Sequence, residues 1–175
     1  SSEDKCGDKK ILGILSGWEH VKLLDQNILD MYVRDFIKVC GLYKTNSIDL
    51  RPHPAMTPNG NYASQIADAL KSQGINSQVT SCESPVIDES LKYICIAGFA
   101  SSALRDVRLF NQSISIIAFE SVSEHYFSDS KSILGSSDGI DWLNSSGDIV
   151  KSNKLNLNNR LSVSEVVNKV YDMRD

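Results

Sequence analysis

The sequence predicts an α/β fold of Rossmann type, a parallel sheet with helices on both faces. Three observations lead there. Short apolar runs of strand length recur along the chain and stop at Gly, Ser or Pro. The segments between them repeat apolar residues at helical spacing. Runs and segments alternate from residue 11 to residue 120, the pattern of parallel strands joined by right-handed helical crossovers.

Taken in order, residues 1–10 are polar and charged and read as a disordered lead-in. Ile11-Leu-Gly-Ile-Leu15 is a buried strand ending at Ser16-Gly17. Leu24, Ile28, Met31, Tyr32, Phe36 and Val39 line one helix face, with Gly41 as its stop. Ile48-Asp-Leu50 gives a second strand, running into Arg51-Pro-His-Pro54. Beyond the turn-rich Thr57-Pro-Asn-Gly-Asn61, the residues Tyr62, Ile66, Ala69 and Leu70 mark a helix closed by Gly74.

Ser77 to Ser81 is a weak third strand, and Pro85 to Leu91 leaves room for only a short helical turn. Tyr93 to Ala97 is a strong fourth strand, followed by a helix from Ser101 to Phe110 with serine as its cap. Ile114 to Phe119 is a fifth strand. From 120 to 160 the pattern dissolves into Ser, Asn, Gly and Asp. Leu161 to Met173 resumes as a terminal helix with a Ser162-x-x-Glu165 capping box. Residues 11–120 thus form the α/β core, and 121–175 an irregular segment and last helix of the same domain.

Composition narrows the partners. The 175 residues suit one domain, and apolar and charged fractions of 41% and 23% are ordinary for a globular protein. A net charge of -4 argues against a nucleic-acid or anionic-membrane surface, so any anionic ligand must be held by local groups. No apolar run approaches the length of a membrane span. No segment reads as a signal peptide, and from the start at Ser1-Ser-Glu-Asp, without Met, an excised part of something longer is one expectation. Cys6, Cys40, Cys82 and Cys95 lack zinc or redox spacing and read as core thiols. Asn111-Gln-Ser and Asn144-Ser-Ser match the glycosylation pattern, as chance allows in a chain rich in Ser and Asn.

In an open parallel sheet, ligands sit outside the carboxyl ends of the strands. Four groups fall there: Ser16-Gly17, Arg51 with His53-Pro54, Glu83, and Gly98 with Ser101-Ser102. Proline fixes φ and extends the residue before it, so His53 stands on a stiff stalk where it can donate to a phosphate. Ser101 and Ser102 open a helix, where unpaired N–H groups and the helix dipole favour an anion. Glu83 can accept two bonds from a ribose diol, as acidic residues do in dinucleotide folds. The run after Gly98 is neither a Walker loop nor a GxGxxG fingerprint. Taken singly, a histidine in a proline turn, a capping serine and a loop acid are all commonplace; their arrival at one edge is the argument.

The His-Pro after a strand, a Glu, and then Ser-Ser resembles the donor half of bacterial sialyltransferases and of related capsule and Kdo transferases. The resemblance covers roughly residues 11–120. It implies the C-terminal domain of a two-domain GT-B enzyme using a CMP-activated acidic sugar. It implies that His53, with Ser101 and Ser102, holds the CMP phosphate, that Glu83 holds the ribose, and that Arg51 lies near the base. Ser16 and Gly17 would line the nucleotide floor. His53 becomes the catalytic candidate. The sequence departs from that family in one respect: the general base belongs to an acidic-Gly motif of an N-terminal domain, and Asp138-Gly139 lies on the wrong side of the strand order to replace it.

The implied reaction is attack of a glycan acceptor hydroxyl on the anomeric carbon, with CMP leaving. The expected location is cytoplasmic, or peripheral to the inner face of a membrane. No carboxylate cluster suited to a metal is apparent, and no cofactor is expected beyond the donor. A non-catalytic nucleotide-binding or regulatory module is the alternative. A receiver-type phosphorylation switch is excluded, because Ser16-Gly17 and Ser81-Cys82 stand where its acidic residues belong.

Overall fold

The structure, a computed structural model, describes residues 9–17, 26–54, 62–122 and 139–152. His20, His125, Asp138, the loop Thr57–Asn61 and the terminal helix expected over 161–173 lie outside them, as do residues 1–8 of the lead-in. Among the described residues, no helix is long and apolar enough to cross a membrane.

Strands and helices alternate as β1 (Ile11–Ile14), α1 (Gln26–Tyr43), β2 (Ser47–Arg51), α2 (Tyr62–Ser72) and β3 (Asn76–Val79). They continue as α3 (Val86–Ser90), β4 (Cys95–Phe99), α4 (Ser102–Phe110), β5 (Ser115–Phe119), β6 (Asp141–Leu143) and β7 (Ile149–Val150). The seven strands form one sheet in the order β3-β2-β1-β4-β5-β6-β7. Every pairing is parallel except that of β6 with β7. This is the α/β architecture of Rossmann type.

Both faces of the sheet are covered, which is why its central strands read as unbroken apolar runs. Alternate residues serve opposite faces. Ile11, Leu15, Ile48, Leu50, Cys95, Ala97, Phe99, Ile117 and Phe119 pack under α1 and α2. Leu12, Ile14, Ile96, Ile116 and Ala118 pack against Leu104 and Val107 of α4. Phe36 of α1 meets Phe119 edge-on at 5.0 Å and stacks with Tyr32 at 5.7 Å. Chain growth runs outward from β1 to β3, then jumps back to β4 and runs the other way. Crossovers of a single hand put the helices of the two runs on opposite faces, which opens a crevice where β1 and β4 part.

Several boundaries differ from those read in the sequence. Gly41 does not stop α1, which continues to Tyr43; the chain reverses instead at Lys44, with φ 51°. Thr45 N donates to Cys40 O there, closing the last turn (3.1 Å). The fourth strand sits two residues later than its apolar run, because Phe99 pairs with Phe119 and fills the core under α1. Tyr93 instead ends in a bond from its hydroxyl to Asp49 Oδ2 (3.0 Å). The segment after 120 is not wholly irregular: 141–150 form a hairpin that adds two strands to the sheet. Asn144 masks that hairpin by supplying turn chemistry, accepting from Asp148 N through its side chain (2.8 Å). Nor is the lead-in disordered to its end, since Lys10 O accepts from Ile94 N and Lys10 Nζ reaches Asp49 (3.0 and 3.3 Å). Cys40 and Cys95 are core thiols, whereas Cys82 is only half-buried.

Candidate functional site

The end of β2 is fixed from both sides. Leu15 N donates to Arg51 O (3.0 Å), and Thr80 N donates to Leu50 O (2.8 Å). Pro52 and Pro54 then stiffen the chain as it leaves the sheet. His53 is therefore carried past the carboxyl edge, where it is exposed. Across the crevice, β4 ends at Phe99 and α4 begins at Ser102, with Ser101 in the extended geometry of an N-cap.

Between these two ends lies a cavity of about 240 Å³. Ile14, Leu15, Pro54 and Val86 supply apolar wall; Arg51, His53, Ser101, Ser102 and Asp106 supply its polar side. Two segments far apart in sequence thus share one small site at the topological switch point, where open parallel sheets bind ligands. A larger groove of about 530 Å³ between α1 and α2 lies on the outer helical surface, away from the strand ends.

Ser101 does not act as the sequence implied. Its side chain makes no capping bond, and its Oγ is buried with no hydrogen-bond partner among the described residues. A buried hydroxyl without a partner is costly, and it lies beside helix N–H groups that favour an anion. Ligand oxygens could satisfy both.

Ser16 is held by three bonds. Its N–H donates to Tyr32 Oη (3.1 Å), its hydroxyl shares a bond with the same oxygen (3.0 Å), and its carbonyl accepts from the Tyr62 hydroxyl. Both tyrosines are buried. Burial raises the Tyr32 phenol well above its ordinary range, against the lowering effect of the Ser16 bonds, so the phenol stays neutral. Ser16 and Gly17 do not line the cavity; they form a braced shoulder beside it. Sequence reading placed Tyr32 and Tyr62 on helix faces and missed this bracing, because each phenol's partner lies far off in the chain.

Arg51 is committed to the protein. Its guanidinium donates to Glu89 Oε2 (2.6 Å), to Cys82 O (3.2 Å) and to Ser84 O. Glu89 accepts in turn from the Ser84 hydroxyl. Arg51 lines the cavity, but its donors tie the β3–α3 loop to the end of β2 rather than waiting for a base. Glu83 is exposed on that loop and lies outside the cavity. Gly98 is also outside it, for a packing reason: a Cβ there would stand 2.2 Å from Ile14 O.

Asp106 was missed. It stands four residues after Ser102 on α4, and that spacing puts both on one helix face. Among the described residues it is the acidic residue lining the cavity, and its carboxylate is loosely held by Arg105 Nε and Nη2 at 3.4 Å.

The sequence matches no protein-family model, and no curated protein matches it.

Proposed function

We propose that this chain is the donor-binding half of a glycosyltransferase that uses a CMP-activated acidic sugar. The nucleotide phosphate sits between His53 and the start of α4. One observation carries this reading: a single cavity at the switch point gathers His53-Pro54 and Ser101-Ser102, the two motifs of the sialyltransferase resemblance. Its size, below the ~300–1,000 Å³ of ordinary ligand pockets, suits a phosphate and its ribose. The sugar and the acceptor then lie towards an N-terminal GT-B domain.

In the reaction, an acceptor hydroxyl attacks the anomeric carbon and its proton passes to a base of that partner domain. The bond from the anomeric carbon to the phosphate oxygen breaks, and its electron pair stays on CMP. Donors already aimed at that oxygen stabilise the growing charge, and removing one such donor costs about 3 kcal/mol. His53 is exposed enough to exchange its proton with water. The helix start adds its dipole without needing a counter-ion. A cytoplasmic setting fits, since activated sugar nucleotides are supplied there.

Calorimetry of the full chain with CMP, UMP and ADP tests the reading. CMP is expected to bind, and His53→Ala or the pair Ser101→Ala with Ser102→Ala to weaken it about tenfold or more. Equal binding of all three nucleotides, or of none, would remove the CMP-sugar assignment.

A further inference from the structure

The cavity mixes groups that a bare anion would not choose. At one end stand the first turn of α4, Ser101 Oγ and His53, all suited to negative charge. Asp106, one helical turn beyond Ser102 on the same face, also lines the cavity. One turn advances about 5.4 Å along the axis, so a phosphate at the helix start would feel this carboxylate strongly. The repulsion is relieved if the ligand carries hydrogen-bond donors on the side facing Asp106. A ribose 5-phosphate unit has that layout: an anionic end, and a vicinal diol on the far edge of the ring.

We propose that Asp106 is the residue that takes the ribose 2′,3′-diol, making the site selective for ribonucleoside phosphates over free phosphate and deoxy analogues. This rests on the nucleotide reading above and assigns to Asp106 the role that the family resemblance gives to Glu83. Glu83 is exposed and outside the cavity, whereas Asp106 is the acidic residue that lines it among the described residues. Arg105 holds Asp106 only loosely and does not satisfy it, since both contacts are long and nearly half of each side chain is open to solvent. A carboxylate has two oxygens and can accept from both hydroxyls of the diol at once.

The test compares three probes on the full chain: CMP, 2′,3′-dideoxycytidine monophosphate and inorganic phosphate. Wild type is expected to prefer CMP to the dideoxy compound by about tenfold, and Asp106→Asn to erase most of that preference. Inorganic phosphate is expected to move the opposite way, binding Asp106→Asn about threefold or more tightly because the repulsion is gone. General damage to the helix would weaken all three probes together, so that outcome overturns the assignment. Unchanged affinities in Asp106→Asn, with loss in Glu83→Gln, overturn it in favour of Glu83 and leave the nucleotide reading standing. A wild-type chain that binds no CMP overturns both. Asp106→Ser, shorter and unable to span the diol, repeats the pattern if the asparagine variant folds poorly.

Discussion

The imidazole of His53 lies against the backbone of Gly17: a Cβ at Gly17 would stand 2.9 Å from Nδ1 and 3.1 Å from Cγ. The contact joins the ends of β1 and β2 and gives the exposed ring a backing. Ser16, next to it, is anchored to Tyr32 and Tyr62, so the backing is itself held in place. Gly17→Ala pushes the imidazole, since the intruding atom meets ring atoms of His53 and no backbone atom is among its nearest contacts. The fold should survive with its melting temperature nearly unchanged. CMP affinity should fall about tenfold, the equivalent of about 1.4 kcal/mol, measured by calorimetry beside a thermal melt.

Arg51 and Glu89 make the opposite prediction, stability first. The pair is 8% and 13% exposed at the side chains, with a 2.6 Å contact and further bonds to Cys82 O and Ser84. Removing one partner strands a charge away from water, which costs about 3–5 kcal/mol for a buried pair. Arg51→Met should therefore lower the urea midpoint sharply. The double variant Arg51→Met with Glu89→Met should recover much of the loss, because no charge is left unpaired. A double variant no better than the single one would show that the backbone contacts of Arg51 matter more than its ion pair.

How much of this was legible in the sequence follows from what each signal measures. Strands such as Ile11–Ile14 are buried on both faces and announce themselves as apolar runs. The hairpin of β6 and β7 does not, since it is short, and its turn is built from the Asn, Ser and Gly that also mark loops. The placement of His53 and Ser101 at the sheet edge was legible, because a proline-flanked strand end and a helix start give local rules for position, although the capping rule failed for the Ser101 side chain. Arg51 was not, because its partners come from a loop more than thirty residues later, and residue type alone cannot separate a ligand-binding guanidinium from a structural one. Asp106 could have been found by extending the helix-face argument one turn beyond Ser102.

The buried thiols contribute to the alkaline limit of the fold. Burial pushes Cys40 up to about 11 and Cys95 up to about 12, from an ordinary 9.0. Below pH 9 both states keep these protons, and stability is at its full value. Above pH 9 the unfolded chain releases protons that the folded chain retains, so stability falls as pH rises towards 11 and 12. Each thiol withdraws about 1.4 kcal/mol per pH unit over its interval. Urea midpoints should hold between pH 8 and 9 and fall from pH 9 to 11, less steeply in Cys40→Ala. A thiol reagent at pH 8 should modify the half-buried Cys82 while sparing Cys40 and Cys95 until the chain unfolds.

Gly98 and Gly41 should respond to the same substitution with opposite signs. At Gly98, in the register opposite Ile14, a Cβ would lie 2.2 Å from Ile14 O and 3.0 Å from its carbonyl carbon. These are backbone atoms of the neighbouring strand, so no rotamer change can make room. Gly98→Ala must part β1 from β4 where the crevice opens, at a cost on the order of 3 kcal/mol. The same movement carries Leu15 away from Ser101, both of which line the cavity, so CMP binding should be lost with the stability. Gly41 lies inside α1, and a Cβ there meets nothing within 4 Å. Gly41→Ala removes backbone freedom from the unfolded chain and should raise stability by about 0.5–1 kcal/mol without touching CMP affinity. Urea denaturation and calorimetry of the two variants side by side decide the matter. A stable Gly98→Ala variant that still binds CMP would mean that the strands at the switch point can separate without disturbing the site.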